Sequence, residues 1–185
     1  NTCEQFPVRG RQCSSEQIPA IEAKFKDYNS FASASLESIY GKKGLEDALH
    51  LQISSFSSKV FINDGKGNFE ATDLPIEAQY APINDLIITD IDQDSLPDII
   101  LAGNLFASEV ETPRADAGVG LLLKGNGDGS FKTVPMSQSG LILREDTKSL
   151  MLLAGSQSSK LLFAASNQGS LKAFSLNLDP QIGTH

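Results

Sequence analysis

Histidine and cysteine, which carry much nucleophilic, redox and soft-metal chemistry, are scarce in this chain: two of each in 185 residues. His50 and His185 have no recognisable nucleophile partner, and no Gly-x-Ser-x-Gly elbow is present. Cys3 and Cys13 are close enough in sequence for a disulfide, which would close a small loop worth about 2–3 kcal/mol in the chain-entropy model. Two unpaired thiols are the equal alternative, and two cysteines do not fix a redox compartment. Basic charge is also short. With 15 Lys and Arg against 23 Asp and Glu the formal net charge is −8, which argues against nucleic acid and anionic membrane surfaces as partners. No run of 18 apolar residues occurs, so no transmembrane helix and no membrane insertion are expected. No signal peptide is visible and the chain opens on Asn1, which reads as a mature or trimmed piece of a longer protein.

The composition is otherwise that of a globular protein, 40% hydrophobic and 21% charged, with enough apolar material for a core. The pattern changes near residue 53, which predicts a helical segment over 1–52 packing on a β part over 53–185. Ser14 and Gln17 match a capping box ahead of Pro19. Ile18, Ile21, Phe25 and Tyr28 recur at helical steps and predict one apolar face. A second helix is expected over 31–40, ended by Gly41, with a short third one around Leu45, Ala48 and Leu49.

Beyond residue 53 short apolar runs at 60–62, 86–91, 99–102, 119–123, 150–154, 161–165 and 171–174 alternate with Gly-, Asn- and Asp-rich turns. Several runs are continuous, as in strands buried on both faces. Connections such as 125–130 are too short for a parallel crossover and must be hairpins. Antiparallel sheets covered on both faces imply sheets stacked on sheets, as in a propeller or multilayer sandwich. An internal repeat favours the propeller: Asn63-Asp64-Gly65-Lys66-Gly67-Asn68-Phe69 and Gly125-Asn126-Gly127-Asp128-Gly129-Ser130-Phe131 lie 62 residues apart. Their glycines suit the positive φ of a tight hairpin, and each Phe is expected to start a returning strand packed inward. Residues 167–171 form a weaker third copy.

One stretch carries metal chemistry. Asp90-Ile91-Asp92-Gln93-Asp94-Ser95-Leu96-Pro97-Asp98 places carboxylates at positions 1, 3, 5 and 9. Calcium takes about six to eight oxygen ligands from a loop able to wrap it. Asp90, Asp92 and Asp94 face one side of a turning backbone, the carbonyl of Leu96 can add a ligand, and Asp98 closes the site from the next strand. Carboxylates this close repel one another without a cation. An EF-hand is excluded by Leu101 where its bidentate Glu belongs and by Ser95 where its Gly belongs. No His or Cys lies nearby, which argues against zinc or a redox metal.

The D-x-D-x-D-x-x-x-D pattern between apolar strands, followed by an N-G-x-G-x-F turn, resembles the FG-GAP or VCBS repeats of integrin-α-type β-propellers. The resemblance covers residues 55–177 and is strongest over 83–131. It implies a calcium ion held by the side chains of Asp90, Asp92, Asp94 and Asp98 and the carbonyl of Leu96. The sequence departs from the family at Ser95, where glycine is usual. It also implies antiparallel sheets stacked as blades of a partial propeller: one blade from strands near 83–89, 98–103, 118–123 and 131–135, most of another from 149–154, 160–166 and 171–176, and outer strands of a preceding one at 55–63 and 69–72. A whole propeller needs more blades than this chain can supply, so the chain reads as the C-terminal piece of a larger extracellular, periplasmic or cell-surface protein, with the remaining blades as partners.

The function expected is a calcium-binding, non-catalytic module that contacts a protein or glycan. The alternative is a carbohydrate-active enzyme using the loop 105–117, in which Glu109, Glu111, Arg114 and Asp116 would form the site, with Glu111 and Asp116 as a carboxylate pair. Residues 125–129 are glycine-rich but precede a strand, so they are not a phosphate cradle.

Overall fold

The structure is a computed structural model that describes residues 4–110, 112–154 and 160–176. Cys3, Glu111 and His185 lie outside the described residues, and with them the pairing of Cys3 with Cys13 and the part Glu111 would play in a loop site. The chain divides into two compact units, Asn1–Ser54 and Ser55–His185.

The first unit is helical, in shorter pieces than the periodicity predicts. Among the described residues five helices follow in order: α1 (Arg11–Gln17), α2 (Ala20–Lys24), α3 (Tyr28–Ala32), α4 (Leu36–Tyr40) and α5 (Lys42–Glu46). Ser14 is not a cap. It is buried inside α1, whose chain leaves helical geometry at Ile18 (φ −129°) before Pro19. The expected stripe is therefore not one face: Ile21 is 3% exposed, whereas Ile18 and Tyr28 are 45% and 65% exposed. The core is instead gathered from three helices, with Ile21, Phe31 and Ile39 buried together and Phe25 and Ala34 packed against them. Phe25 and Phe31 meet edge to face at 5.6 Å. The helix expected over 31–40 is cut at Ser33–Ser35; the Ser35 hydroxyl accepts from the Ser38 amide and starts α4 afresh. Gly41 ends α4 at φ 78°, as expected of a helix-stopping glycine. None of the described helices is long and apolar enough to cross a membrane.

The second unit is mainly β, with three antiparallel sheets among the described residues. Strands β1 (Lys59–Asn63) and β2 (Phe69–Asp73) form a hairpin; β3 (Ile83–Thr89), β4 (Asp98–Gly103), β5 (Leu121–Gly125) and β6 (Phe131–Val134) form a four-stranded meander; β7 (Thr147–Ala154), β8 (Lys160–Ser166) and β9 (Lys172–Leu176) form a three-stranded one. The short turn α6 (Met136–Ser139) joins the last two. These follow the expected strands closely, except that β1 begins at Lys59 rather than 55 and β5 at Leu121 rather than 118. Gly118 is engaged there by the side chain of Asn104, and Gly120 turns the chain at φ 76°.

Alternation explains why β4 is buried along its whole length. Ile100 and Ala102 join Leu122, Leu150, Leu162 and Ala164 in the core shared by the four- and three-stranded sheets. Ile99 and Leu101 face the other way and pack with Leu123, Leu74 and Ala78, with Val60 of the hairpin against them. The four-stranded sheet is thus covered on both faces, and the continuous apolar runs of the sequence have that cause. Two matching turns bear out the repeat: the amides of Asp64 and Asn126 each donate to the carbonyl four residues on, at 3.1 Å. Gly65, Gly67, Gly127 and Gly129 all have φ between 76° and 92°. Phe131 packs inward, but Phe69 is 62% exposed, because the two-stranded hairpin buries little of its outer face. The third copy is a tighter turn with Gln168, not its glycine, at positive φ.

Candidate metal centre

The loop from residue 90 to 98 connects β3 to β4, and its shape is set by its own carboxylates. The Asp90 carboxylate accepts from the Ser95 amide at 3.0 Å, Asp92 from the Asp94 amide at 3.3 Å, and Asp94 from the Leu96 amide at 2.8 Å. Each side chain closes a small ring over the backbone that follows it. Asp98, the first residue of β4, is 2% exposed. Its two oxygens accept from the Ile91 amide at 2.9 Å and the Gly125 amide at 3.0 Å, so one carboxylate ties the start of the loop to β5. That approach requires glycine at 125, where a Cβ would stand 2.2 Å from the Pro97 carbonyl oxygen. Two non-glycine residues take left-handed backbone to complete the turn, Gln93 at φ 63° and Ser95 at φ 68°. The departure from glycine at Ser95 therefore falls where the chain does adopt positive φ.

This folding brings oxygens of Asp90, Asp92 and Asp98 within 4.8 Å of one another, a group that can hold a metal ion. Asp92 is 5% exposed. Beside these carboxylates lies a narrow cavity lined by Ile91, Leu122 and Val134 as well as Asp92, Asp98 and Lys124. The fit to a hard cation rests on one atom above all: Oδ1 of Asp90 is buried and has no hydrogen-bond partner. A buried carboxylate oxygen left so is costly, and a cation within the group would relieve it. The donor set is all oxygen, as a hard ion prefers.

Of the expected ligands, Asp94 stands apart from the three-carboxylate group. It is held by the Leu96 amide and lies 3.3 Å from Nζ of Lys124. The Leu96 amide, and after it Lys124, holds the Asp94 carboxyl below its ordinary pKa. Lys124, from β5, also pairs with Oδ2 of Asp92, and the Asp92 and Asp94 carboxylates raise its pKa. No pattern of spacing singles out Lys124, because it reaches the loop through the register of β4 and β5, in which Ile99 faces Leu123. Lys160, at the start of β8, donates to Oγ1 of Thr89 and to the Asp90 carbonyl, both at 3.2 Å.

The loop 105–117 has a different character. Leu105 and Ala115 form a bridge by backbone bonds at 2.8 and 3.0 Å. Within it the guanidinium of Arg114 lies over the Phe106 ring at 4.3 Å and pairs with Asp116 at 2.8 Å. Glu109, Arg114 and Asp116 are all exposed.

No family model, no curated protein and no solved structure matches this chain.

Proposed function

We propose that residues 90–98 bind a calcium ion, and that the Ser55–His185 unit is a non-catalytic binding module made of FG-GAP/VCBS-like blades of a partial β-propeller. The observation that carries this reading is the buried, unpartnered Oδ1 of Asp90 inside a group of three carboxylates. Calcium is favoured by an all-oxygen donor set on a loop with further oxygens nearby, those of Asp94 and the Leu96 carbonyl. The blade reading is supported by the meander order of the sheets and by the two hairpins that repeat at 62 residues. In this proposal calcium fixes the β3–β4 connection, and the module presents loops to a protein or glycan in an extracellular, periplasmic or cell-surface setting, beside further blades of its parent. The exposure of Arg114 and Asp116 and their mutual ion pair favour a solvated loop over a glycosidase site.

Thermal unfolding of the chelator-stripped chain, with and without millimolar calcium, tests the proposal. Calcium at 100 times its dissociation constant adds about 2.7 kcal/mol if only the folded state binds it. The melting temperature of the parent rises and that of Asp92→Asn does not. No response in the parent removes the calcium site.

A further inference from the structure

Lys124 stands in the acidic loop as a cation already attached to the chain. It is placed there by β5, whose Leu121, Leu122 and Leu123 pair with β4 while Gly125 closes on Asp98, so its position is fixed on both sides. The side chain of Lys124 is 25% exposed, and it meets Asp92, whose side chain is 4% exposed, and Asp94, at 30%. The ammonium therefore serves Asp92 and Asp94. It does not serve every oxygen: Oδ1 of Asp90 keeps no hydrogen-bond partner with Lys124 in place. Four carboxylates with the ammonium of Lys124 among them and that of Lys160 at the Asp90 carbonyl still carry excess negative charge, enough to draw in a divalent ion. That ion would share Asp92 with the lysine.

Resting on the calcium reading above, we infer that Lys124 is a tethered counter-ion that holds Asp92 and Asp94 when metal is absent and competes with calcium for them when it is present. An ammonium and a calcium ion repel each other across a shared carboxylate, and an oxygen bonded to Nζ is a poorer metal ligand. Lys124 thus keeps the empty loop folded and lowers the affinity of the filled one. The site becomes an exchange between an internal and an external cation, and its affinity is tuned by a residue that ligates nothing.

Isothermal titration calorimetry of calcium into the chelator-stripped full chain tests this, for the parent, Lys124→Gln and Lys124→Arg, with melting temperatures in chelator alongside. Lys124→Gln is expected to bind calcium about tenfold more tightly than the parent, equivalent to about 1.4 kcal/mol. It should also melt lower than the parent in chelator. Lys124→Arg keeps the charge and binds no more tightly than the parent; it remains informative if Lys124→Gln does not fold without metal. Equal or weaker calcium binding by Lys124→Gln overturns the counter-ion role while leaving the calcium site standing. Silence from all three proteins overturns the calcium reading and this inference together.

Discussion

The four-stranded and three-stranded sheets are built alike where they begin and differ where they turn. Each opens on a strand whose register slips near its start, between Ile83 and Asp85 in β3 and between Thr147 and Ser149 in β7. After the second strand, each chain returns an asparagine amide to the residue just ahead of the first: Asn104 to the Pro82 carbonyl at 3.1 Å, Asn167 to the Asp146 carbonyl at 2.9 Å. Between those points they diverge. The first connection holds Asp90, Asp92 and Asp94 and ends on Asp98; the sequence of the second, from 155 to 159, has no acidic residue, and Lys160 opens β8 where Asp98 opens β4. Lys160 is then directed at the first loop, to Thr89 and the Asp90 carbonyl. One frame has thus been put to two uses, an acidic loop and a cationic clamp on it.

The two asparagines make the sharpest test of that comparison. Asn104 is fully buried: its amide group donates to the carbonyls of Gly118, Arg144 and Glu145 and its oxygen accepts from the Gly118 amide. It ties the end of β4 both to the approach to β5 and to the approach to β7. Asn167 is exposed. Asn104→Ala leaves several buried backbone groups unpaired and is expected to cost about 3–4 kcal/mol in denaturant unfolding. Asn167→Ala should cost about 1 kcal/mol or less. Equal costs would mean that the two sheets use this corner in the same way.

How much of this was legible in the sequence follows from the range of each interaction. The acidic loop was readable because its carboxylates lie within nine residues, and local spacing nearly fixes local geometry. The strands were readable because covering both faces of β4 leaves a continuous apolar run, Ile99 to Ala102. Lys124 and Asn104 were not readable. Their partners lie far along the chain and meet them only through strand register, about which a lysine or an asparagine in isolation says nothing. The helices misled for a related reason. Ile21, Phe31 and Ile39 are spaced for a core, but the chain brings them together by leaving helical geometry between Phe25 and Asp27 and again at Ser33–Ser35 rather than along one helix.

Asp85 tests how the sheets are held to each other. Its carboxylate accepts from the Leu150 amide of β7 at 2.7 Å and from the Leu86 amide at 2.9 Å. The Leu150 amide is the main reason its pKa lies below the ordinary 3.8. A depressed carboxylate pKa gives stability that is present above the unfolded value and lost as pH falls through the folded one. Asp85→Ala is therefore expected to cost about 1–2 kcal/mol at neutral pH. The gap between parent and variant should narrow once pH falls below about 4. Urea midpoints measured across that range check it; a gap independent of pH would assign the loss to packing instead.

The smallest effect concerns the turns themselves. The repeated hairpins use glycine where φ is positive, at 76° for Gly65 and 83° for Gly127, while the acidic loop uses Ser95 at 68°. Left-handed backbone costs a non-glycine residue about 1–2 kcal/mol, and glycine returns part of that as unfolded-state entropy. Ser95→Gly is expected to stabilise the chain by about 0.5–1 kcal/mol, since the Ser95 amide that serves Asp90 is kept. The gain should appear in chelator as well as in calcium, because it belongs to the turn and not to the ion. If it appears only with calcium, the left-handed turn forms on metal binding, and the acidic loop differs from the glycine hairpins in when it folds as well as in what it holds.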